Sequence, residues 1–333
     1  MRSRPVVALA VLALLVALAA CGHDASTGGD GPTVVVTTGI LGDVVENLVG
    51  AAADVQVVMP PGADPHDFQA SARQVNEIRE ADALVTNGGG FEVGLVDALE
   101  AAEADGVASY AALDAVSTLT LAGGHPEEGE EAHPGPEVEG EGSGAQPSDQ
   151  DETSEAGVDP HFFTDPDRMA DAAEGIAAFL AEEVPALDTA AVRSGAEAYV
   201  AELRRLADSV EETLAVVPEE RRVLVTNHDV FGYFADRFGF SVVGAVIPGG
   251  GTQGEPSARD LDDLAGVIEA EGVPAIFADT SSPARLADAL AAEVGEVEVV
   301  ELYSESLGPE GSEAATYVTM VETNAQRIAA ALR

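Results

Sequence analysis

Lysine is absent from this 333-residue chain, and all 15 of its basic residues are arginines. The chain has 60 Asp and Glu residues, which gives a formal net charge of −45. This composition excludes a nucleic-acid-binding protein, because such proteins need a basic surface that neutralises phosphates. The acidic balance is compatible with a cationic ligand, although a solvated acidic surface explains most of it equally well.

Cysteine is nearly absent too, since Cys21 is the only one in the sequence. A single cysteine excludes disulfides within the chain, and it also excludes cysteine-rich zinc sites and iron–sulfur clusters. Any metal bound by this protein must therefore be held by histidine and carboxylate ligands.

The position of this cysteine predicts its use. Two arginines precede the apolar run 6–20, which ends in small residues directly before Cys21. This arrangement resembles a bacterial lipobox, and it predicts a signal peptide over 1–20 and a lipidated, flexible tether over 21–32. An ordinary signal peptide or a short membrane anchor is the alternative. We therefore expect the mature protein outside the cytoplasm, lipid-anchored to the cell membrane at the cell surface or the periplasmic face.

Short apolar runs alternate with segments of helical spacing, and 46% of residues are hydrophobic. This alternation predicts an α/β fold of two lobes, each a mainly parallel sheet flanked by helices, joined by a long helix. The predicted units are an N-terminal lobe over 33–184, a connecting helix over 185–218 and a C-terminal lobe over 219–333. The predicted strands are 33–38, 55–59, 83–86, 107–110, 222–226, 242–247, 275–278 and 297–302. Helical spacing predicts helices that include 91–104 and 313–332, and Asp165 followed by Pro166 predicts the capped start of another.

The segment 123–157 interrupts the first lobe with a different composition. It contains 11 acidic residues, no arginine and many glycines and prolines. Such a segment cannot bury enough apolar surface to offset the entropy of ordering it, so we expect a disordered acidic insert. It carries His125 and His133.

Three of the six histidines lie in predicted loops of the folded lobes. His66 and His161 each end an Asp-Pro-His tripeptide, and His228 follows a predicted strand. A lone loop histidine is more often a hydrogen-bonded or solvated residue than a ligand. Ligands of such sheets, however, bind in the crevice at the carboxyl ends of the strands. Three histidines in equivalent loops therefore indicate a metal site.

Carboxylates accompany each of these histidines. Asp64, Asp159 and Asp229 are candidates for orienting the imidazoles through the ring nitrogen that does not bind the metal. For a fourth ligand, Asp279 and Glu305 both follow predicted strands. Their positions in the sequence do not choose between them.

Four segments in order carry a family resemblance: 64–68, 159–166, 227–234 and 302–308. From about Thr33 to its C-terminus, the chain resembles the solute-binding lipoproteins of zinc and manganese ABC transporters, known as cluster A-I. Each motif is weak alone, but the ordered set is specific. The resemblance implies a rigid connecting helix, limited movement of the lobes and a membrane permease as partner.

The resemblance also implies a ligand set of His66, His161, His228 and Glu305. Asp279 then corresponds to an acidic position near the site and is the reserve ligand. Manganese-type members tend to have a carboxylate where this chain has His228. Three nitrogens and one carboxylate suit zinc, whereas manganese prefers more oxygen ligands. We therefore expect Zn²⁺ as the bound metal, with Mn²⁺ as the alternative.

These expectations describe a monomeric binding protein and not an enzyme, since four protein ligands leave no position for an activated water. A secreted zinc metallohydrolase is the competing class, and a surface role in cell adhesion is a third possibility. Weak metal collection by His125 and His133 competes with a merely solubilising insert. Gly88–Gly90 and Gly249–Gly251 match no phosphate-binding motif, so they are interpreted as turn glycines.

Overall fold

The structure is a computed structural model that describes residues 31–121, 157–295 and 297–333. Cys21, His125 and His133 lie outside the described residues. So do the predicted signal peptide, nearly all of the predicted tether and all but the last residue of the predicted insert.

The first lobe contains a four-stranded parallel sheet with the order β2-β1-β3-β4. Its central strands are short runs of apolar residues that are buried on both faces, as expected of a parallel sheet covered by helices. The strands are β1 (Thr33–Val36), β2 (Asp54–Val57), β3 (Ala83–Thr86) and β4 (Ser109–Ala111).

The second lobe repeats this topology with the order β6-β5-β7-β8, again parallel throughout. In both sheets the first strand of the set lies inside, and the second and third strands are added on its opposite sides, so the strand order reverses beside it. Such a switch point opens a crevice at the carboxyl edge of the sheet. The strands are β5 (Val223–Thr226), β6 (Ser241–Ala245), β7 (Ala275–Asp279) and β8 (Glu298–Leu302).

Nine α-helices connect and cover these strands in the part of the chain that the structure describes. Several begin with a hydroxyl cap on their first free amides, including Thr38, Ser71, Ser257 and Thr316. The helices are α1 (Gly39–Val49), α2 (Ala72–Arg79), α3 (Val96–Ala104), α4 (Pro166–Glu183), α5 (Ala190–Leu214), α6 (Gly232–Phe238), α7 (Ala258–Glu271), α8 (Arg285–Val294) and α9 (Tyr317–Leu332).

The 25-residue helix α5 joins the two lobes. Its buried stripe packs against α4, α9 and α1, which belong to both halves of the chain. One apolar core surrounds this helix and includes residues of both sheets, such as Val34 and Phe277. A smaller cluster covers the outer face of each sheet. The predicted fold class is confirmed, and the lobes are joined by shared packing as well as by one helix.

Two predicted helices begin later than their apolar pattern suggests. The helix expected from Phe91 begins at Val96, after the short 3-10 turn Val93–Leu95. Here Glu92 turns its carboxylate back onto the preceding loop, so the chain is not yet helical. The last helix, expected from Glu313, begins at Tyr317 after its Thr316 cap.

Among the described residues, no helix is both long enough and apolar enough to cross a membrane.

Candidate metal centre

Four side chains from both lobes meet where the carboxyl edges of the two sheets face each other. His66 follows β2 and His161 precedes α4, whereas His228 follows β5 and Glu305 follows β8. One ligand atom from each lies within 4.8 Å of the others. The parallel topology explains this convergence, because all four side chains lie in loops at the same end of their sheets.

Glu305 lies at the centre of the group. Its Oε1 atom is 2.8 Å from Nε2 of His66, 3.0 Å from Nε2 of His228 and 3.4 Å from Nε2 of His161. The three imidazole rings lie edge to face around it, with centroids 5.5 to 5.7 Å apart. His161 and His228 are fully buried, Glu305 is 2% exposed and His66 is 6% exposed.

The electrostatics of the group are those of a carboxylate among imidazoles. Burial alone would raise the pKa of Glu305. The nearby charge of His228 and hydrogen bonds from His161, His228 and His66 outweigh burial and hold this pKa well below its usual range. For His161, burial lowers the pKa, but hydrogen bonds to Asp159 and Glu305 outweigh it and raise the pKa.

Among the described residues, two buried polar atoms of this cluster have no hydrogen-bond partner, Nδ1 of His228 and Oε2 of Glu305. Nε2 of His161 has only its long contact of 3.4 Å with Oε1 of Glu305. Buried polar atoms are normally satisfied, so unpartnered atoms of this kind need an explanation. Imidazole nitrogen and carboxylate oxygen are the donors that zinc and other divalent transition metals take from proteins. The residues therefore fit a divalent metal ion.

Asp159 orients one of the imidazoles. Its Oδ1 atom lies 2.8 Å from Nδ1 of His161, and it also accepts a hydrogen bond from the backbone amide of His161 at 2.9 Å. This bond directs Nε2 of His161 towards Glu305 and fixes the tautomer that a metal ligand needs.

The other two carboxylates that the sequence suggested for this role lie differently. Asp64 accepts from the backbone amide of His66, and its second oxygen accepts from the hydroxyl of Thr252. Asp229 lies beside His228, yet Nδ1 of His228 has no hydrogen-bond partner in the described chain. Of the three suggested carboxylates, only Asp159 holds an imidazole ring in this structure.

Asp279 lies next to the cluster and supports its loop. Its carboxylate accepts from the backbone amide and hydroxyl of Ser304 and from the amide and hydroxyl of Ser281. Ser304 precedes Glu305, so Asp279 fixes the loop that carries the carboxylate. Burial, and then the charge of Glu305, raise the pKa of Asp279. Asp279 is not a member of the four-residue group.

Sequence reasoning missed the support beneath the histidines. The ring of Phe91 packs edge to face against His66 and His161, with centroids 5.0 and 5.6 Å apart. The adjacent Glu92 is buried and binds the hydroxyl of Thr37 and the backbone amide of Asn87. A buried acid is an unusual residue, but nothing in the sequence marks Glu92 as buried among 60 acids.

Gly88–Gly90 explain how this loop turns. All three glycines have positive φ, between 65° and 87°. A Cβ atom at Gly89 would lie 2.7 Å from the side chain of Leu113, so only glycine fits there. The sequence-based interpretation as turn glycines agrees with this geometry.

Two α/β lobes of one topology, joined by a helix and closed around three buried imidazoles and a carboxylate, define a metal-binding solute-binding protein. The chain belongs to the family described as zinc-uptake complex component A, periplasmic, whose sequence model matches residues 34–331.

Similar proteins support this assignment along nearly the whole chain. The chain is 30% identical over 316 residues to the zinc-binding protein TroA of Treponema pallidum, covering 93% of this chain and 91% of TroA. It is 27% identical over 331 residues to the manganese-binding lipoprotein MntA of Bacillus subtilis, covering 97% and 98%. The solved structure of TroA superposes with a TM-score of 0.75 at 29% identity, over 91% of this chain and 99% of that chain.

The family resemblance seen in the motifs is thus confirmed. The family consists of solute-binding components of ABC transporters, so the prediction that the chain is not an enzyme is confirmed as well. A membrane permease is the partner that this class of protein implies. The metallohydrolase alternative is wrong.

Proposed function

We propose that this protein captures Zn²⁺ outside the cytoplasm and delivers it to the membrane permease of an ABC importer. His66, His161, His228 and Glu305 are the proposed ligands. The observation that carries the proposal is the convergence of these four buried side chains on one point between the lobes. A site that shares its ligands between two lobes gains and loses a metal when the lobes separate slightly.

The donor set supports zinc over manganese. Three nitrogens and one carboxylate oxygen match the tetrahedral coordination of zinc, whereas manganese favours more oxygen ligands. The relatives' names include a zinc-binding and a manganese-binding protein, so manganese is the alternative cargo. His228 is the residue on which the choice depends, because a carboxylate there would give two nitrogens and two oxygens.

The proposal is tested by measuring metal content and by titrating zinc and manganese in competition. The purified protein is compared with His228→Asp and with His23→Ala, which removes a histidine from the predicted tether. We expect one tightly bound zinc per chain in the unaltered protein and in His23→Ala. In His228→Asp, zinc affinity should fall, and the ratio of zinc affinity to manganese affinity should decrease.

Two outcomes would overturn the proposal of a zinc-binding site. Absence of stoichiometric metal in the unaltered protein would refute the site. Tighter binding of manganese than of zinc by the unaltered protein would make manganese the cargo.

We also propose that a lipid on Cys21 tethers a monomer to the outer face of the cell membrane. The only cysteine of the chain follows an apolar run of signal-peptide length, which supports this anchor. Substitution Cys21→Ala should release the protein from the membrane fraction into the medium or periplasm. Light scattering of the released form should give the mass of one chain.

For the acidic insert over 123–157, we propose a weak metal-collecting role that uses His125 and His133. Its acidic composition supports attraction of cations. Deletion of this segment should slow the transfer of zinc from a dilute pool to the protein. Unchanged affinity together with unchanged transfer would leave the segment a solubilising loop.

A further inference from the structure

Residues 249–252, Gly-Gly-Gly-Thr, form a segment that we call the glycine strap. It begins beside the His228 loop in the second lobe. The backbone amide of Asp229 donates to the carbonyl of Gly249 at 3.0 Å, and the amide of Ile247 donates to the carbonyl of Asn227 at 2.8 Å. The first end of the strap is therefore attached to the loop that carries His228.

The other end of the strap is bonded to the first lobe. The hydroxyl of Thr252 donates to Oδ2 of Asp64 at 2.6 Å. The other oxygen of Asp64 accepts from the backbone amide of His66 at 2.9 Å. One carboxylate thus binds both the strap and the backbone of a proposed metal ligand.

Between its ends the strap passes close to the His66 side chain. A Cβ atom at Gly251 would lie 3.9 Å from Cγ and Nδ1 of the His66 ring. A Cβ atom at Gly250 would lie 2.7 Å from the side chain of Leu121, a residue of the first lobe. A side chain at Gly250 would require Leu121 to shift, and the backbone at Gly251 lies one ordinary van der Waals contact from the His66 ring, so the strap packs against both residues of the first lobe.

The strap lies beside the proposed ligand that water reaches most easily. His66 is 6% exposed, whereas His161 and His228 are fully buried. A second bond between the lobes, from the amide of Gly62 to the hydroxyl of Ser306 at 2.7 Å, joins the same two edges. A metal leaving on the His66 side would have to displace this region first.

We propose that Thr252 is a positioning residue for metal retention. Acting through Asp64, its hydroxyl holds the glycine strap against the His66 imidazole and slows dissociation of the bound metal. This inference rests on the proposed function, since it assigns a role in holding the same metal. A hydrogen bond to a carboxylate is stronger than one between neutral groups, which makes a single hydroxyl sufficient.

The decisive experiment measures zinc dissociation into excess chelator by stopped flow for the unaltered protein, Thr252→Val and Thr252→Ser. Valine keeps the shape of threonine but removes the hydroxyl. We expect dissociation from Thr252→Val to be about tenfold to a hundredfold faster, the range given by loss of one hydrogen bond to a charged group. Thr252→Ser should stay within about twofold of the unaltered protein, because serine restores the donor.

Thr213→Val is the matched control, because its hydroxyl bonds only within α5, to the carbonyl of Ser209. It should leave dissociation unchanged. Equal rates for Thr252→Val and the unaltered protein would overturn the proposal. Equally fast dissociation from the serine and valine variants would also overturn it, since the effect would then come from packing.

A second readout needs no metal. In the metal-free protein, hydrogen exchange of peptides covering 64–68 and 247–254 should be faster in Thr252→Val than in Thr252→Ser. Unchanged exchange in the valine variant would refute the strap contact. If the unaltered protein binds no zinc, the proposed function fails, and this exchange comparison still decides whether Thr252 holds the strap.

Discussion

The two Asp-Pro-His tripeptides have one sequence and two environments. In each, the aspartate accepts from the backbone amide of its histidine at 2.9 Å, so the local turn is the same. In 159–161 the aspartate also binds the imidazole, whereas in 64–66 its free oxygen binds Thr252 of the other lobe. The tripeptide fixes the backbone, and the tertiary partner decides what the carboxylate orients.

The surroundings of the two segments differ in the same way. Residues 159–161 are buried, and two further hydrogen bonds hold them. The hydroxyl of Tyr233 donates to the carbonyl of Asp159, and the side-chain amide of Asn87 donates to the carbonyl of Pro160. In 64–66, Asp64 is only half-buried, and its contact across the cleft is one hydroxyl. The segment 159–161 is therefore preorganised for a metal, whereas the position of 64–66 depends on closure of the lobes.

Removal of the metal should produce the largest difference in behaviour between the segments 64–66 and 159–161. A ligand at about a thousand times its dissociation constant stabilises the folded state by about 4 kcal/mol, so chelation should lower the free energy of unfolding by about this amount. Hydrogen exchange should rise more in 64–66 than in 159–161. Thermal unfolding and exchange with and without zinc check this, and equal exchange in both segments would contradict the comparison.

Loss of each imidazole should have unequal effects. His161→Ala should lower zinc affinity by more than about a hundredfold, the upper range for residues that only orient a ligand. His66→Ala should lower zinc affinity less, because Asp64 does not hold the imidazole ring of His66 in place. Competition titration with a chromophoric chelator measures both affinities, with His23→Ala as the reference. A larger loss for His66→Ala would reverse the proposed order.

Substitution of Asp159 should also lower zinc affinity more than substitution of Asp64, with smaller effects than loss of the histidines. Asp159→Asn keeps the shape and one acceptor oxygen but loses the negative charge that strengthens the hydrogen bond to the imidazole, so zinc affinity should fall about tenfold to a hundredfold. Asp64→Asn should change affinity by less than about tenfold and should mainly speed dissociation. Equilibrium and stopped-flow measurements on both variants test this split, and circular dichroism verifies that both fold.

Much of this comparison could be predicted from the sequence, for identifiable reasons. Alternating apolar runs gave strands such as Ala83–Thr86 at their observed positions, because buried parallel strands are short and β-branched or apolar. The Asp165 cap with Pro166 at the first helical position correctly predicted the start of α4. The four converging residues were identified by histidine scarcity, loop position and ordered family motifs.

The sequence could not show which partner each carboxylate takes. Asp64 and Asp159 have the same neighbours in the chain, and only contacts with Thr252 and the His161 ring distinguish them. The sequence also left Asp279 and Glu305 equivalent at strand ends. Packing separates them, because the two serines beside Asp279 occupy its carboxylate.

The smallest expected effect concerns Glu92, which supports the segment 159–161 indirectly. Its carboxylate accepts from the backbone amide of Asn87, and the side-chain amide of Asn87 donates to the carbonyl of Pro160. Burial raises the pKa of Glu92, and its hydrogen bonds from Thr37, Asn87 and Gly88 offset this only in part. Glu305 is equally buried among imidazoles and has a lowered pKa, so the difference lies in the neighbours.

The sign of the pH effect follows from this direction. Between the unfolded value, about 4.3, and the raised pKa in the fold, the folded state binds more protons than the unfolded state. Stability of the metal-free protein should therefore fall as pH rises through this window, by about 1.4 kcal/mol for each unit of displacement. Glu92→Gln should remove this slope, whereas Glu182→Gln on the exposed face of α4 should keep it. Urea unfolding from pH 4.5 to 7 measures the three proteins, and parallel curves for Glu92→Gln and the unaltered protein would show that Glu92 is not the titrating group.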